Sequence, residues 1–182
     1  MDNGASSYRR FRDDGDESGL VEIIRDYKDG LILYLTSFVG SVRLAEEIAE
    51  DTFVILGTKK PRDKGKSSFK TWLYTIGRNA AIDRMRREKR HATVSVDEIA
   101  ELEDGESLEE SYIRSERKIA VHRAMAKLGS EQRQILWLVY FEGMTVKEAS
   151  SVMGKSVHAA EGLMYRAKKS LRSQLESEGM KE

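Results

Sequence analysis

The chain contains no cysteine, a single proline, three histidines and no long apolar run. The absence of cysteine excludes disulfides, thiolate zinc sites and cysteine nucleophiles. The histidines, His91, His122 and His158, lie far apart in the sequence, so we expect neither a metal site nor a cofactor. The longest uncharged run, 30–42, is shorter than the about 18–20 apolar residues that a membrane helix needs. We therefore expect no membrane insertion, no export and a cytoplasmic location.

The scarcity of proline leaves helices almost uninterrupted, and the apolar residues follow helical spacing throughout. Hydrophobic residues make up 40% of the chain and charged residues 34%. This composition is too apolar for a wholly disordered chain and too charged for a membrane bundle. We expect an all-α protein with two small helical domains joined by an acidic linker, the second domain containing a helix-turn-helix.

Charge is balanced overall, with 31 basic and 31 acidic residues, but it is strongly segregated along the chain. Residues 16–58 hold nine acids and three bases, and residues 59–91 hold twelve bases and three acids. Residues 92–116 then hold nine acids and one base, so the net charges of the three segments are −6, +9 and −8. Such segregation favours a basic surface for a polyanion and acidic surfaces for a basic protein. Incidental clustering on solvated helix faces is the alternative.

The first domain is predicted to cover residues 16–91, after a disordered tail of residues 1–15 that is rich in Asp, Arg, Gly and Ser. Trp72 lies in the apolar stripe of the helix predicted at 69–90, so we expect it to pack in the core rather than stack on a base. The apolar spacing predicts helices at 20–27, 31–39, 44–56 and 69–90, with a basic loop at 59–68.

The second domain is predicted to cover residues 118–176, after a linker at 92–117 and before a short tail at 177–182. Capping patterns mark its helices: Ser130 as an N-cap, Thr145 with Glu148 as a capping box, and Ser156 as an N-cap. A further capping-box pair, Ser107 and Glu110, falls in the linker. The last helix has a predicted inward stripe at Val157, Ala160, Met164, Ala167 and Leu171. Two short helices around Gly154 are typical of a helix-turn-helix.

No arrangement of residues in the sequence indicates catalysis. Gly65-Lys66-Ser67 and Gly154-Lys155-Ser156 imitate the end of a phosphate-binding loop, but the earlier glycine is missing from both. The acids fall on helix faces or in the linker, with no histidine beside them to form a catalytic set. We therefore expect a binding protein rather than an enzyme.

Three segments carry a resemblance to a known family. The first is Ala45–Phe53, and the second is Phe69–Asn79 followed by Asp83. The third combines Gln132–Thr145 with Val157–Leu171. In these segments the chain resembles a bacterial extracytoplasmic-function (ECF) sigma factor.

The resemblance extends over about residues 18–175 and implies a dissociable, non-catalytic subunit of RNA polymerase that selects promoters. In this family the first domain binds the polymerase clamp and opens the −10 element, and the second recognises the −35 element. The linker would run toward the polymerase active-site cleft. The implied partners are core RNA polymerase, promoter DNA and a separate anti-sigma protein.

The candidate residues divide into three groups according to the partner that the resemblance implies. The core polymerase group is Glu46, Glu47, Glu50, Asp51 and Phe53. The −10 group is Lys66, Ser67, Ser68, Lys70, Arg78, Asn79, Asp83, Arg86 and Arg87. The −35 group is Lys155, Ser156, His158, Glu161, Tyr165, Arg166 and Lys169. The −10 group suits its task because unstacked bases need hydrogen-bonding side chains and phosphates need cations.

The last helix departs from the family pattern at Glu161, Gly162 and Leu163, where the family commonly has Lys or Arg, then Ser, then Arg. Tyr165 and Arg166 follow the pattern, so DNA binding is still expected. The inward stripe leaves Glu161 facing outward, where its carboxylate could accept a hydrogen bond from N4 of a cytosine. A tolerated surface acid is the alternative for Glu161.

Two other functions remain open from the sequence. An autonomous helix-turn-helix regulator would explain residues 119–175 but leaves 44–90 without a purpose. A sigma-like decoy that sequesters an anti-sigma protein is favoured by Glu161–Leu163. The net +9 of residues 59–91 argues against a decoy, which needs no phosphate-binding surface.

Overall fold

The computed structural model of the protein describes residues 3–91 and 116–177. Every regular element in these two ranges is a helix, which confirms the predicted all-α class. The first range contains α1 (Gly4–Asp14), α2 (Glu17–Val39), α3 (Val42–Lys59) and α4 (Phe69–His91). The second contains α5 (Glu116–Ala126), α6 (Ser130–Leu136), a π-helical segment (Trp137–Phe141), α7 (Val146–Met153) and α8 (Val157–Ser177). The predicted capping pair Ser107 and Glu110 lies outside the described residues.

The N-terminal segment forms α1, so the prediction of a disordered tail at residues 1–15 is wrong. The helix is stable because Tyr8 and Phe11, three residues apart, are both buried against the first domain. Ser7 Oγ and Arg10 Nη2 also donate hydrogen bonds to the Glu22 carboxylate of α2, at 2.6 and 2.5 Å. α1 is therefore an integral part of the first domain.

α2 is one continuous helix of 23 residues, and the prediction of separate helices at 20–27 and 31–39 is wrong. Its start is capped by Asp16, whose carboxylate accepts a hydrogen bond from Ser18 N at 3.0 Å. Gly30 stays helical and matters for packing rather than for chain reversal. A Cβ at this position would lie 2.6 Å from the Tyr74 hydroxyl oxygen of α4, so the missing side chain lets that hydroxyl approach α2.

The core of the first domain lies where α2, α3 and α4 meet, with α1 packed against α2 and α4. Trp72 packs its ring against Tyr8 and Phe69, at centroid distances of 5.2 and 5.5 Å, which confirms its predicted place in the core. Each fully buried Leu or Ile contributes about 1.5–3 kcal/mol to stability. The fully buried aliphatic residues include Leu31, Leu35, Ile48, Leu56 and Leu73.

The second domain contains the predicted helix-turn-helix, formed by α7 and α8 around Gly154. Thr145 and Glu148 form the predicted capping box at the start of α7. Gly154 ends α7 with φ +64°, a left-handed conformation that favours glycine. Ser130, predicted as an N-cap, is instead the first residue of α6, and Gly129 takes the cap position.

The two domains pack against each other, with α4 against α7 and α2 against α6. Arg133 Nε donates a hydrogen bond to the Ser37 carbonyl oxygen at 2.7 Å. The Tyr34 hydroxyl donates to Gln134 Oε1 at 3.4 Å. Burial in this contact lowers the pKa of the Arg133 guanidinium. The packing determines which candidate residues are accessible.

Candidate protein and nucleic-acid interfaces

The outer face of α3 is acidic. Its exposed acids are Glu46, Glu50 and Asp51. Glu47 is only partly exposed and forms ion pairs with Arg43 and Arg84, at 3.4 and 2.9 Å. Glu47 therefore contributes to the packing of α4 on α3 as well as to the acidic face. A basic protein surface could bind this face.

Phe53 does not belong to this face, so its assignment to polymerase docking is wrong. Its side chain is 7% exposed and packs in the core of the first domain. Val54 is instead 58% exposed. It follows Glu50 by four residues and Asp51 by three, which places all three side chains on one side of α3. The outer face therefore offers acidic groups next to one apolar contact.

The loop at 60–68 joins α3 to α4 and exposes Lys64, Lys66 and Ser67. Ser68 has a structural role that the sequence prediction missed. Its Oγ accepts a hydrogen bond from Thr71 N at 3.2 Å, so Ser68 caps the start of α4. The other two predicted −10 residues of the loop are Lys66, expected at a phosphate, and Ser67, expected at a base, and both are exposed.

The second half of α4 presents a polar stripe to solvent. Its exposed members are Asn79, Asp83, Arg86 and Arg87. The spacing of four, three and one residues places them along one side of the helix. Two cations, one amide and one carboxylate could therefore contact a nucleic-acid strand together, the cations at phosphates and the amide at a base.

The two remaining cations of the −10 group, Lys70 and Arg78, are bound by the second domain. Lys70 Nζ lies 2.8 Å from Glu142 Oε2 and also donates to the Glu142 carbonyl oxygen at 2.8 Å. Arg78 Nε donates to Gln134 Oε1 at 3.3 Å, and its guanidinium lies over the ring of Phe38. Lys70 and Arg78 are therefore not available to DNA in this arrangement.

Glu142 is the central group of the contact between α4 and the second domain. Its side chain is 8% exposed, and its Oε2 accepts a hydrogen bond from the Tyr74 hydroxyl at 2.7 Å. Burial raises the pKa of Tyr74, and the Glu142 charge raises it further, so the hydroxyl remains a donor. An ammonium, a phenol and a carboxylate thus satisfy one another beside Gly30.

The outward face of α8 holds most of the predicted −35 residues. Its exposed members are His158, Glu161, Tyr165, Arg166 and Lys169. Tyr165 is the most open of the exposed apolar side chains in the described residues, at 72% exposure. The opposite side of α8 is buried and consists of Ala160, Leu163, Met164 and Ala167. The second helix of a helix-turn-helix enters the DNA major groove with its outward side, and the exposed polar side of α8 is suited to this position.

The prediction for α8 needs two corrections. Val157 is 41% exposed and lies outside the inward stripe assigned to it, because it is the first residue of the helix. Leu163 is 5% exposed, so this departure from the family pattern is a core residue rather than a missing DNA contact.

The turn before α8 has its own partners. Ser156 Oγ accepts a hydrogen bond from Ala159 N at 3.2 Å, which confirms the predicted cap. Lys155 forms an ion pair with Glu131 at 2.8 Å. Both predicted −35 residues in the turn thus have roles inside the second domain.

Comparison with known proteins identifies the family of the chain. The model of Sigma-70 region 2 matches residues 23–91, and the model of Sigma-70, region 4, matches residues 118–171. The ECF RNA polymerase sigma factor SigW of Bacillus subtilis is 26% identical over 171 residues, covering 88% of this chain and 91% of SigW. The chain belongs to the ECF sigma factors. Sigma factors are transcription initiation factors and generally have no enzymatic activity.

Other relatives of this sigma factor agree in length and fold. The ECF sigma factor SigM of Bacillus subtilis is 28% identical, with 84% of this chain and 92% of SigM covered. The sigma factor RpoE of Bartonella quintana, solved in complex with the anti-sigma factor NepR, superposes with a TM-score of 0.66 at 21% identity. That superposition covers 85% of this chain and 95% of RpoE.

The sequence reasoning missed three features of this sigma factor. α1 has only two apolar aromatic residues, Tyr8 and Phe11, as its signal. Val54 is an apolar residue among the acids of the outer face of α3. Its position outside the apolar stripe of this helix could have identified it as exposed. The contact of Glu142 with Lys70 joins residues 72 positions apart, and no local pattern indicates it.

In the part of the chain that the structure describes, no helix combines the length and the apolar character needed to cross a bilayer.

Proposed function

We propose that this sigma factor binds core RNA polymerase through the outer face of α3. Loop 60–68 and the polar stripe of α4 bind and open the −10 element, and the outward face of α8 recognises the −35 element. The supporting observation is the separation of charge within one domain, since α3 exposes acids whereas the loop and α4 expose cations and an amide. A basic protein surface and a DNA strand can therefore bind this domain at the same time.

The second domain lies over part of the −10 surface, so promoter binding requires the domains to separate. Lys70 and Arg78, two of the cations assigned to DNA, are bound by residues of the second domain: Lys70 by Glu142 and Arg78 by Gln134. The packed arrangement is that of the free protein, whereas polymerase and DNA bind an arrangement in which the two domains are separated. A separate anti-sigma protein, like the NepR bound to RpoE, binds this sigma factor, which acts in the cytoplasm.

Run-off transcription tests the function directly. Core polymerase is incubated with genomic promoter fragments, with and without the protein, and specific transcripts are expected only when the protein is present. An autonomous regulator would bind fragments without polymerase and yield no new transcript. A decoy would neither bind fragments nor yield a transcript. Either of the last two results would replace the proposed function.

Replacing Ser67 and Asn79 together by Ala should slow strand opening about tenfold while closed-complex binding stays unchanged. The expected factor corresponds to the loss of two hydrogen bonds to unpaired bases. Ser68 is left intact because it caps α4. Permanganate reactivity of −10 thymines measures opening, and Asn3→Ala with Ser6→Ala is the control, since both are exposed residues of the same two types. Wild-type opening in the Ser67 and Asn79 variant would contradict the base-binding assignment.

Glu161→Ala should lose preference for cytosine at one position of the upstream element and bind non-specific DNA at least as tightly as wild type. A carboxylate that accepts from cytosine N4 discriminates by about 1–3 kcal/mol and is otherwise repelled by phosphates. Arg166→Ala should instead weaken binding to all sequences. Selection on randomised upstream elements measures both effects, with Glu176→Ala as an exposed control of equal charge on the same helix. Full preference retained by Glu161→Ala at every position would identify Glu161 as a tolerated surface acid.

A further inference from the structure

The beginning of loop 60–68 contacts side chains of α1. Lys60 ends α3 in a left-handed conformation with φ +43°, which is uncommon for a residue other than glycine. Its ammonium lies 4.6 Å from the centroid of the Phe11 ring. At the next residue, the Tyr8 hydroxyl donates a hydrogen bond to the Pro61 carbonyl oxygen at 2.7 Å. Two side chains of α1 therefore contact the first two residues of the loop.

The same Tyr8 side chain also contacts the residues that come after the loop. Its ring lies 5.7 Å from the ring of Phe69 and 5.2 Å from the ring of Trp72, both in the first turn of α4. Tyr8 is 1% exposed, and burial raises its pKa to about 12, so the hydroxyl stays protonated and able to donate. One buried side chain thus joins the beginning of the loop to the helix at its end.

Hydrogen bonds inside the loop limit its freedom further. Gly65 N donates to Asp63 Oδ1 at 2.9 Å, and Ser68 caps α4 through Thr71 N. Between these fixed points, Lys66 and Ser67 are exposed. Their positions therefore depend on the two ends of the loop, and Tyr8 contacts both.

We propose that Tyr8 is a positioning residue for recognition of the −10 element, since it holds Lys66 and Ser67 where an unpaired base is bound. This inference rests on the proposed function of loop 60–68. Tyr8 touches no DNA itself and acts through the Pro61 carbonyl. Loss of its hydroxyl leaves the aromatic packing in place and releases the beginning of the loop.

The adjacent residue provides a matched control. Ser7 is buried on the same helix, and its Oγ donates to Glu22 Oε2 at 2.6 Å, a contact with α2 that does not involve the loop. Tyr8→Phe and Ser7→Ala each remove one hydroxyl and one hydrogen bond. Only Tyr8→Phe removes a bond to the loop.

The first measurement does not depend on transcription. Trypsin cleaves after Arg62, Lys64 and Lys66 in the loop, and cleavage there requires the loop to leave its fixed position. The net contribution of one hydrogen bond corresponds to a roughly threefold to tenfold change in such an equilibrium. Tyr8→Phe should accelerate cleavage at these sites by this factor, whereas Ser7→Ala should leave it unchanged. Equal cleavage rates in Tyr8→Phe and wild type would overturn the inference.

The second measurement uses the holoenzyme and a library of promoters randomised in the −10 element. Tyr8→Phe should flatten the base preference at the position bound by the loop by roughly threefold to tenfold, with affinity for core polymerase unchanged. A merely structural role would lower transcription from all promoters by the same factor and would affect Ser7→Ala alike, which would contradict the inference. If the wild-type holoenzyme selects no promoter, the proposed function fails, while the trypsin result still decides whether Tyr8 holds the loop.

Discussion

Reversing the charge of Glu50 and Asp51 together to Lys should weaken binding to core polymerase by at least tenfold and abolish specific transcripts at limiting protein concentration. Both acids are exposed on α3 beside Val54. Placing like charges against a basic docking surface costs several kcal/mol, so two reversals are expected to exceed the loss of one ordinary contact. A core-binding titration at two salt concentrations measures the effect, which should diminish at high salt.

Glu47 is unsuitable for this test because it forms ion pairs with Arg43 and Arg84. A Lys at that position would disturb the packing of α4 on α3. A weaker binding to polymerase could then result from a loss of folding rather than from a loss of docking. The matched control reverses Glu17 and Asp29, two exposed acids of α2, which gives the same change in net charge. Equal affinity of the Glu50 and Asp51 variant and of wild type would show that polymerase binds elsewhere.

Glu142→Lys should separate the two domains of the free protein, raising the separated population by at least tenfold. The substitution places two ammonium groups together where Glu142 now accepts from Lys70 and Tyr74. Breaking a buried ion pair costs about 3–5 kcal/mol, and the partial exposure of Lys70 reduces this cost without cancelling it. Binding of a single-stranded −10 fragment by the free protein should rise by the same factor, because the −10 surface becomes uncovered.

Energy transfer between two dyes can measure the domain separation. The chain has no cysteine, so Ser6→Cys in α1 and Ser173→Cys in α8 provide two exposed labelling sites. Glu131→Lys is the control, since it breaks the ion pair with Lys155 inside the second domain and leaves the contact between domains intact. The charge swap Lys70→Glu with Glu142→Lys restores opposite charges but not the hydrogen bond from Lys70 to the Glu142 carbonyl oxygen, so it should recover part of the packed population in the distance measurement. Unchanged energy transfer in Glu142→Lys would show that this contact does not hold the domains together.

The helical class and the main amphipathic stripes could be predicted because they depend on spacing along one helix. The stripe of α3 is an example. Phe53 follows Ala49 by four residues and precedes Leu56 by three, a spacing that indicates burial, whereas the family resemblance assigned Phe53 to docking. The structure agrees with the spacing. Where periodicity and a family motif disagree about one side chain, periodicity is the more direct indicator of burial.

Features that depend on distant partners could not be predicted in this way. Tyr8 makes α1 stable by packing against Phe69 and Trp72, more than sixty residues later in the sequence. A polar segment with two aromatic residues resembles a disordered tail until those partners are known. The same reason explains why Lys70 was predicted to be available to DNA. Its partner Glu142 belongs to the other domain, and nothing near either residue in the sequence indicates the pairing.

The π-helical segment Trp137–Phe141 lies immediately before Glu142. A π-helical turn holds one residue more than an α-helical turn, so it rotates the residues after it by about 100° relative to a regular α-helix. The direction in which Glu142 projects therefore depends on the number of residues in this segment as well as on their identity. During divergence of such proteins, loss of a single codon here would turn the carboxylate away from Lys70 while every contacting side chain stayed the same. Coupling between the two domains can thus be gained or lost by a change in chain length that comparison of contact residues alone would not detect.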